Sequence, residues 1–132
     1  METTRYEKGI ELLEKMISKE IMAETIEKVK QFSPDIARLI VEFAFGDVYS
    51  RPTLDLKQKE LLTITSLVTL GAESQLDFHI NGALNVGLSP NEIVEVIIHC
   101  IPYVGFPRAL GALQVIMKVF EKRNVKLDSH IK

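Results

Sequence analysis

From Thr4 to Phe120 capping residues, glycines and prolines cut the chain into about seven helix-length segments, and no run alternates apolar and polar residues as a half-buried strand must. An all-α fold is therefore expected. The first segment, near 4–18, spaces Ile10, Leu13, Met16 and Ile17 along one helical face, and the second does the same with Met22, Ile26, Val29 and Phe32. Ser33-Pro34 supplies a cap and a first-turn proline for a helix that should end at Gly46. After a loop over 47–54, Asp55 and Gln58 read as a capping box opening a helix that stops at Gly71, and another runs from about Ser74 to Gly87. Ser89, Pro90 and Glu92 put cap, proline and reciprocal carboxylate in register, so a helix should start there and run into Pro102. Gly105-Phe106-Pro107 should open the last helix, whose apolar face is Leu110, Leu113, Ile116, Met117 and Phe120.

A chain of 132 residues buries about two thirds of the surface its unfolded form exposes, which suits a single domain over 1–132. Its 16 basic and 18 acidic residues are interspersed, net -2, with no basic stripe to neutralise phosphates, so nucleic acid is not an expected partner. Cys100 is the only cysteine; it allows no intrachain disulfide and no Cys-x-x-Cys pattern, and suits the reducing cytoplasm. The polar start predicts no export signal, and the apolar stretch 93–106 is interrupted by Glu95, His99, Pro102 and Gly105, so no membrane span is expected. That stretch is nevertheless too apolar on every side for a helix facing water, which points to burial against another subunit and hence to a homo-oligomer.

Few residues can carry chemistry. Glu60 has Leu56 and Ile64 as its i-4 and i+4 neighbours, so its carboxylate is aimed at the core side unless the long stem lets the head escape to water. His79 lies on a mostly apolar face beside small Gly82 and Ala83, with Gln75 one turn earlier. An imidazole is the best general acid or base at neutral pH, the alternative being a core histidine bonded to a backbone carbonyl. Gln75 either orients the ring or holds a substrate oxygen, or is a surface residue. Arg51, Arg108 and Tyr49 are the candidates for holding an anion, with Arg51 ranked first because Pro52 stiffens its mounting. Adjacent helical residues point about 100° apart, so His99 and Cys100 cannot form a nucleophile–base pair and both read as packing residues. The histidines at 79, 99 and 130 have no metal-ligand spacing, and no glycine-rich phosphate loop is present, so no metal site is expected.

The segment 71–87 with Gln75 and His79, the run Glu42 to Pro52, Lys59 to Ile64, and Tyr103 to Ala109 together resemble the carboxymuconolactone decarboxylase family, over about 6–120. The resemblance implies an alkylhydroperoxidase D-like bundle of six to seven helices whose hairpins assemble into homotrimers or homohexamers. In one branch of that family a Cys-x-x-Cys pair precedes the histidine and supports peroxidase chemistry; here Ala72 and Gln75 stand at the two thiol positions, and neither forms a thiolate. The other branch decarboxylates 4-carboxymuconolactone without a cofactor. It implies His79 as proton donor, Glu60 as the group that orients or recharges the imidazole, Gln75 as donor to the lactone oxygen, and Arg51 as holder of a remaining carboxylate. The partner is then a small carboxylate or lactone. A non-catalytic, ligand-binding oligomer of the same fold is the competing expectation.

Overall fold

The computed structural model describes residues 3–129, and among them the regular structure is entirely helical. His130 lies outside the described residues. Six helices follow one another: α1 (Arg5–Met16), α2 (19–32), α3 (34–49), α4 (Leu56–Leu70), α5 (Glu73–Asn85) and α6 (Pro90–Arg123). They fall into two compact units, one ending at Leu56 and the other beginning at Lys57.

In the N-terminal unit, hydroxyl caps start the helices. The side chains of Thr4, Ser18 and Ser33 accept from the backbone N–H groups of Glu7, Ile21 and Ile36, satisfying donors that the first turn leaves without partners. Leu12, Leu13 and Met16 of α1 are buried, as is Val41 of α3. The two helices approach so closely that a Cβ on Gly9 would run into the Val41 carbonyl, and one on Gly46 into the Arg5 carbonyl. At that crossing the Arg5 guanidinium forks onto Asp47, at 3.1 and 2.6 Å, and lies 3.4 Å from Glu42. The hydrogen bond from Arg5 holds the Asp47 carboxyl below the usual carboxylate range.

Three expectations need correction here. Gly46 does not end its helix: α3 continues as a π-wound stretch over Ile40–Tyr49, and Gly46 makes room for a neighbouring carbonyl. The second segment is likewise π-wound over Ala23–Glu27, between Lys19–Met22 and Lys28–Phe32. The wider winding moves later side chains off the 3.6-residue face. Phe32, placed on the apolar face by a regular helical period, is 87% exposed.

The C-terminal unit holds the larger core. Ile64 and Val68 of α4, Leu76 and Ile80 of α5, and Ile93, Ile97 and Ile116 of α6 form its buried centre. Each such side chain contributes about 1.5–3 kcal/mol through burial. Gly71, at φ +72°, ends α4 where expected, and Arg108 donates to the Thr69 carbonyl at 2.9 Å, satisfying an acceptor at that helix end. The Ser89 box is complete: its hydroxyl accepts from Glu92 N–H at 3.1 Å and its own N–H donates to the Glu92 carboxylate at 2.9 Å.

The helix from Pro90 does not stop at Pro102. It runs on, and the break falls at Gly105, whose φ +83°, ψ 166° is non-helical. A straight helix of these 34 residues would be about 51 Å long. Yet Asn91, in its first turn, accepts from Asp128 N–H at 2.7 Å and donates to the Asp128 carbonyl at 3.3 Å, just past its other end. The chain therefore folds back at Gly105 into two limbs, and Arg123 of the second limb bonds Asn81 and Asn85 of α5. Among the described residues α6 is the one helix long and apolar enough to cross a membrane by length and composition; its buried residues join the core, while Ile98, Tyr103, Phe106, Leu110 and Met117 are exposed.

Candidate active site

Two helices of the C-terminal unit each bring one functional group inward. On α4 the buried positions are Glu60, Ile64 and Val68, spaced four apart, so Glu60 is the first member of an apolar stripe and its side chain is 0% exposed. On α5 the buried stripe is Leu76, Ile80 and Ala83, and His79 sits at its edge with 13% of its side chain exposed. The Glu60 head therefore does not escape to water. It meets the imidazole, with His79 Nδ1 lying 3.2 Å from one carboxylate oxygen and 3.4 Å from the other.

The chemistry of this pair follows from its atoms. A carboxylate offers only acceptors, so against it the imidazole presents Nδ1–H. Nε2 is the ring nitrogen on the side away from the carboxylate. When protonated it is a general acid, and when neutral a general base held in one tautomer. A carboxyl group buried away from water costs least when it is hydrogen-bonded, and the imidazole supplies a partner. No buried side-chain nitrogen or oxygen among the described residues lacks a hydrogen-bond partner.

The other sequence candidates are placed differently. Gln75, one turn before His79, is exposed: it lies in the first turn of α5, before the buried stripe begins at Leu76. Tyr49 and Arg51 belong to the N-terminal unit; Tyr49 is half-buried with its ring 4.9 Å from that of Phe45, and Arg51 is exposed just past α3. Arg108, considered as an anion holder, instead bonds the Thr69 carbonyl. Cys100 is buried, and burial pushes its thiol pKa up, away from the reactive thiolate. His99 is not a packing residue as expected: it is exposed, 5.7 Å from the Tyr103 ring, and with Leu61, Thr65, Glu92, Glu95 and Val96 it lines an open cavity of about 350 Å³. No cluster of three or more metal-ligating side chains occurs among the described residues. Phe78 was not anticipated. Its ring stands edge-on to the imidazole, with centroids 5.1 Å apart and planes at 70°, and the only sequence sign of this was its position next to His79.

The sequence pattern of the carboxymuconolactone decarboxylase family matches residues 34–117. A protein from Acinetobacter baylyi, named 4-carboxymuconolactone decarboxylase, is 32% identical over 117 residues, covering 89% of this chain and 87% of its own. Nitrosuccinic acid decarboxylase npaB of Metarhizium robertsii is 32% identical over 113 residues, 86% of this chain and 79% of that protein. An uncharacterized 15.0 kDa protein of Paracoccus denitrificans is 31% identical over 98 residues, 73% of each chain. With a match over most of its length and identities that extend across nearly whole relatives, this chain belongs to the carboxymuconolactone decarboxylase family.

Proposed function

We propose that the protein is a cofactor-independent carboxy-lyase acting on a small carboxylated lactone of the 4-carboxymuconolactone type. The observation that carries this reading is the contact of fully buried Glu60 with Nδ1 of His79; we assign Nε2 as the proton-exchanging atom. In the reaction the bond between the ring carbon and the carboxylate breaks and CO2 leaves. The electron pair passes into the unsaturated lactone as a dienolate. Imidazolium Nε2–H then delivers its proton to carbon and the ring becomes neutral, to be reprotonated from solvent. Glu60 keeps Nδ1–H in place throughout and stabilises the imidazolium before transfer. Gln75, on the same helix, is assigned as donor to the lactone oxygen, where negative charge accumulates.

The names of the two decarboxylase relatives support the absence of a cofactor requirement on chemical grounds. An unsaturated lactone and a nitro group are both electron sinks carried by the substrate itself, so the protein need supply only desolvation and a proton. The test is purified protein with 4-carboxymuconolactone, followed by loss of ultraviolet absorbance and by CO2 release, with nitrosuccinic acid in parallel. Turnover that falls about 10²- to 10⁴-fold in His79→Ala is expected. Binding of these acids without CO2 release would replace this reading with a non-catalytic ligand-binding protein.

We also propose that the protein self-associates as a homo-oligomer, a trimer or hexamer. What supports this is the exposed apolar series Ile98, Tyr103, Phe106, Leu110 and Met117 along α6, more than an isolated surface comfortably leaves in water.

A further inference from the structure

The geometry points to a contact between copies of this chain that is separate from α6: a two-fold pairing through the outer face of α3. Ala37, Val41 and Phe45, four apart, are buried on the inner side of that helix, where Val41 meets α1. The outer side is apolar as well. Ile36, Leu39 and Phe43, spaced three and four apart, are 48%, 58% and 58% exposed. A helix apolar on both sides is one that is covered on both sides, and a three-then-four spacing is the repeat by which one helix packs along another. The charges beside the stripe say what covers it. Asp35 and Arg38 are both exposed and lie on one flank, with Arg38 3.6 Å from Asp35 and 3.7 Å from Glu42. Glu42 is largely covered and lies 3.4 Å from Arg5, so the flank turns one negative and one positive charge outward, three residues apart. A two-fold axis between positions 37 and 38 sets two α3 helices antiparallel, with Ile36 of each copy against Leu39 of the other. The same flank of each helix then meets its copy, and Arg38 of each faces Asp35 of the other. The face is complementary to itself in apolar register and in sign. Its five side chains offer about 500 Å² per copy, so pairing removes about 1,000 Å² from water, the size at which specific interfaces begin.

The experiment is sedimentation velocity of the full chain over a dilution series at low ionic strength, for wild type, Asp35→Arg, Arg38→Asp, Leu39→Ser and an equimolar mixture of the two charge variants. Wild type should be an even multiple of the chain, a dimer if this contact acts alone and a hexamer if α6 also makes a three-fold contact. Each variant alters exposed side chains, so its helical circular dichroism should stay that of wild type while its particle falls to half the wild-type mass. The dissociation constant of the contact should rise about 10-fold or more in the charge variants, because each sets like charges against its own copy. Mixing those two should restore the wild-type mass, since one then presents two positive charges to two negative ones on the other. The halving is the same whether or not α6 associates, so a failure here is separable from a failure of that contact. An odd multiple for wild type, wild-type mass retained by the variants at every dilution, or a mixture no larger than its components would overturn the proposal and leave this face to a partner other than a second copy.

Discussion

Replacing His79 by leucine should destabilise the protein even in the absence of any substrate, because it leaves the Glu60 carboxylate alone at a site with 0% exposure. Removing the partner of a buried carboxylate costs about 3–5 kcal/mol when the charge is left uncompensated. The long contacts of 3.2 and 3.4 Å, and the 13% exposure of the imidazole through which water can enter, place the expected value near the lower end, about 3 kcal/mol. At about 2.1 cal/mol/K of unfolding entropy per residue, the 132-residue chain has about 0.28 kcal/mol/K, so Tm should fall by about 11 °C. Glu60→Met leaves only a partly exposed imidazole N–H without its acceptor and should cost less, about 1–2 kcal/mol. The double variant replaces both polar groups by apolar ones of similar size and should lie within about 1 kcal/mol of wild type. The assay is urea and thermal unfolding at neutral pH of all four proteins, with coupling taken from the cycle. A coupling of at least about 2 kcal/mol is expected. Strictly additive single-variant losses, or a His79→Leu cost under about 1 kcal/mol, would show that the carboxylate does not depend on the imidazole and would remove the basis of the paired site.

Light scattering at micromolar concentration should report at least a trimer, and a stable monomer would contradict the interface reading of the exposed α6 residues. Cys100→Ser should leave turnover of 4-carboxymuconolactone within a few-fold of wild type, since the thiol is buried and its pKa is raised; a loss of about 10³ with the fold intact would reinstate thiol chemistry. Gly9→Ala should destabilise the N-terminal unit by about 1–3 kcal/mol or more in chemical denaturation, because the obstacle to the new methyl is the Val41 backbone carbonyl rather than a flexible side chain. Glu92 has its carboxyl pKa lowered by the Ser89 N–H, so its capping contribution is full above the ordinary glutamate pKa of about 4.3 and disappears as pH falls through the lower folded value. The Tm gap between wild type and Glu92→Ala should accordingly narrow between pH 6 and pH 3, and a gap that widens on acidification would contradict the sign.

Local signals were legible in the sequence where the chain itself closes the hydrogen bonds. The Ser89–Glu92 box is an example, with cap, proline and carboxylate all within four residues and all used as read. So is Gly71, where a positive φ ends α4. Signals that depend on a neighbouring helix were misread. Gly46 looked like a stop, but it relieves a close approach of the Arg5 carbonyl from 41 positions away, which no local rule contains. The π-wound stretches in α2 and α3 changed the helical period under Phe32 and the residues after Gly46. Pro102 was read as the end of its helix, yet the helical backbone continues to the break at Gly105, where the last helix was expected to open. For the site, apolar neighbours at four-residue spacing directed Glu60 inward, and the family resemblance joined it to His79 across 19 positions. Gln75 shows the limit of that spacing argument: it shares a helical face with His79 but sits before the buried stripe begins, so its face is open to water.

The reversal at Gly105 has a consequence for chirality. A Cβ there would meet no atom nearer than Pro107 Cδ, at 3.6 Å, so space is not what requires glycine. What requires it is the backbone, at φ +83°, ψ 166°, a region closed to L-residues regardless of their size. Substitutions at this position should therefore not be graded by bulk: alanine should be nearly as harmful as leucine. The mirror-image residue meets no such barrier, since D-alanine at φ +83° corresponds to an L-residue in nearly extended conformation. A chain assembled by chemical ligation with D-alanine at 105 should fold, and should gain stability from the narrower freedom of its unfolded state, so one methyl group would either wreck or reinforce the hairpin according to its handedness alone.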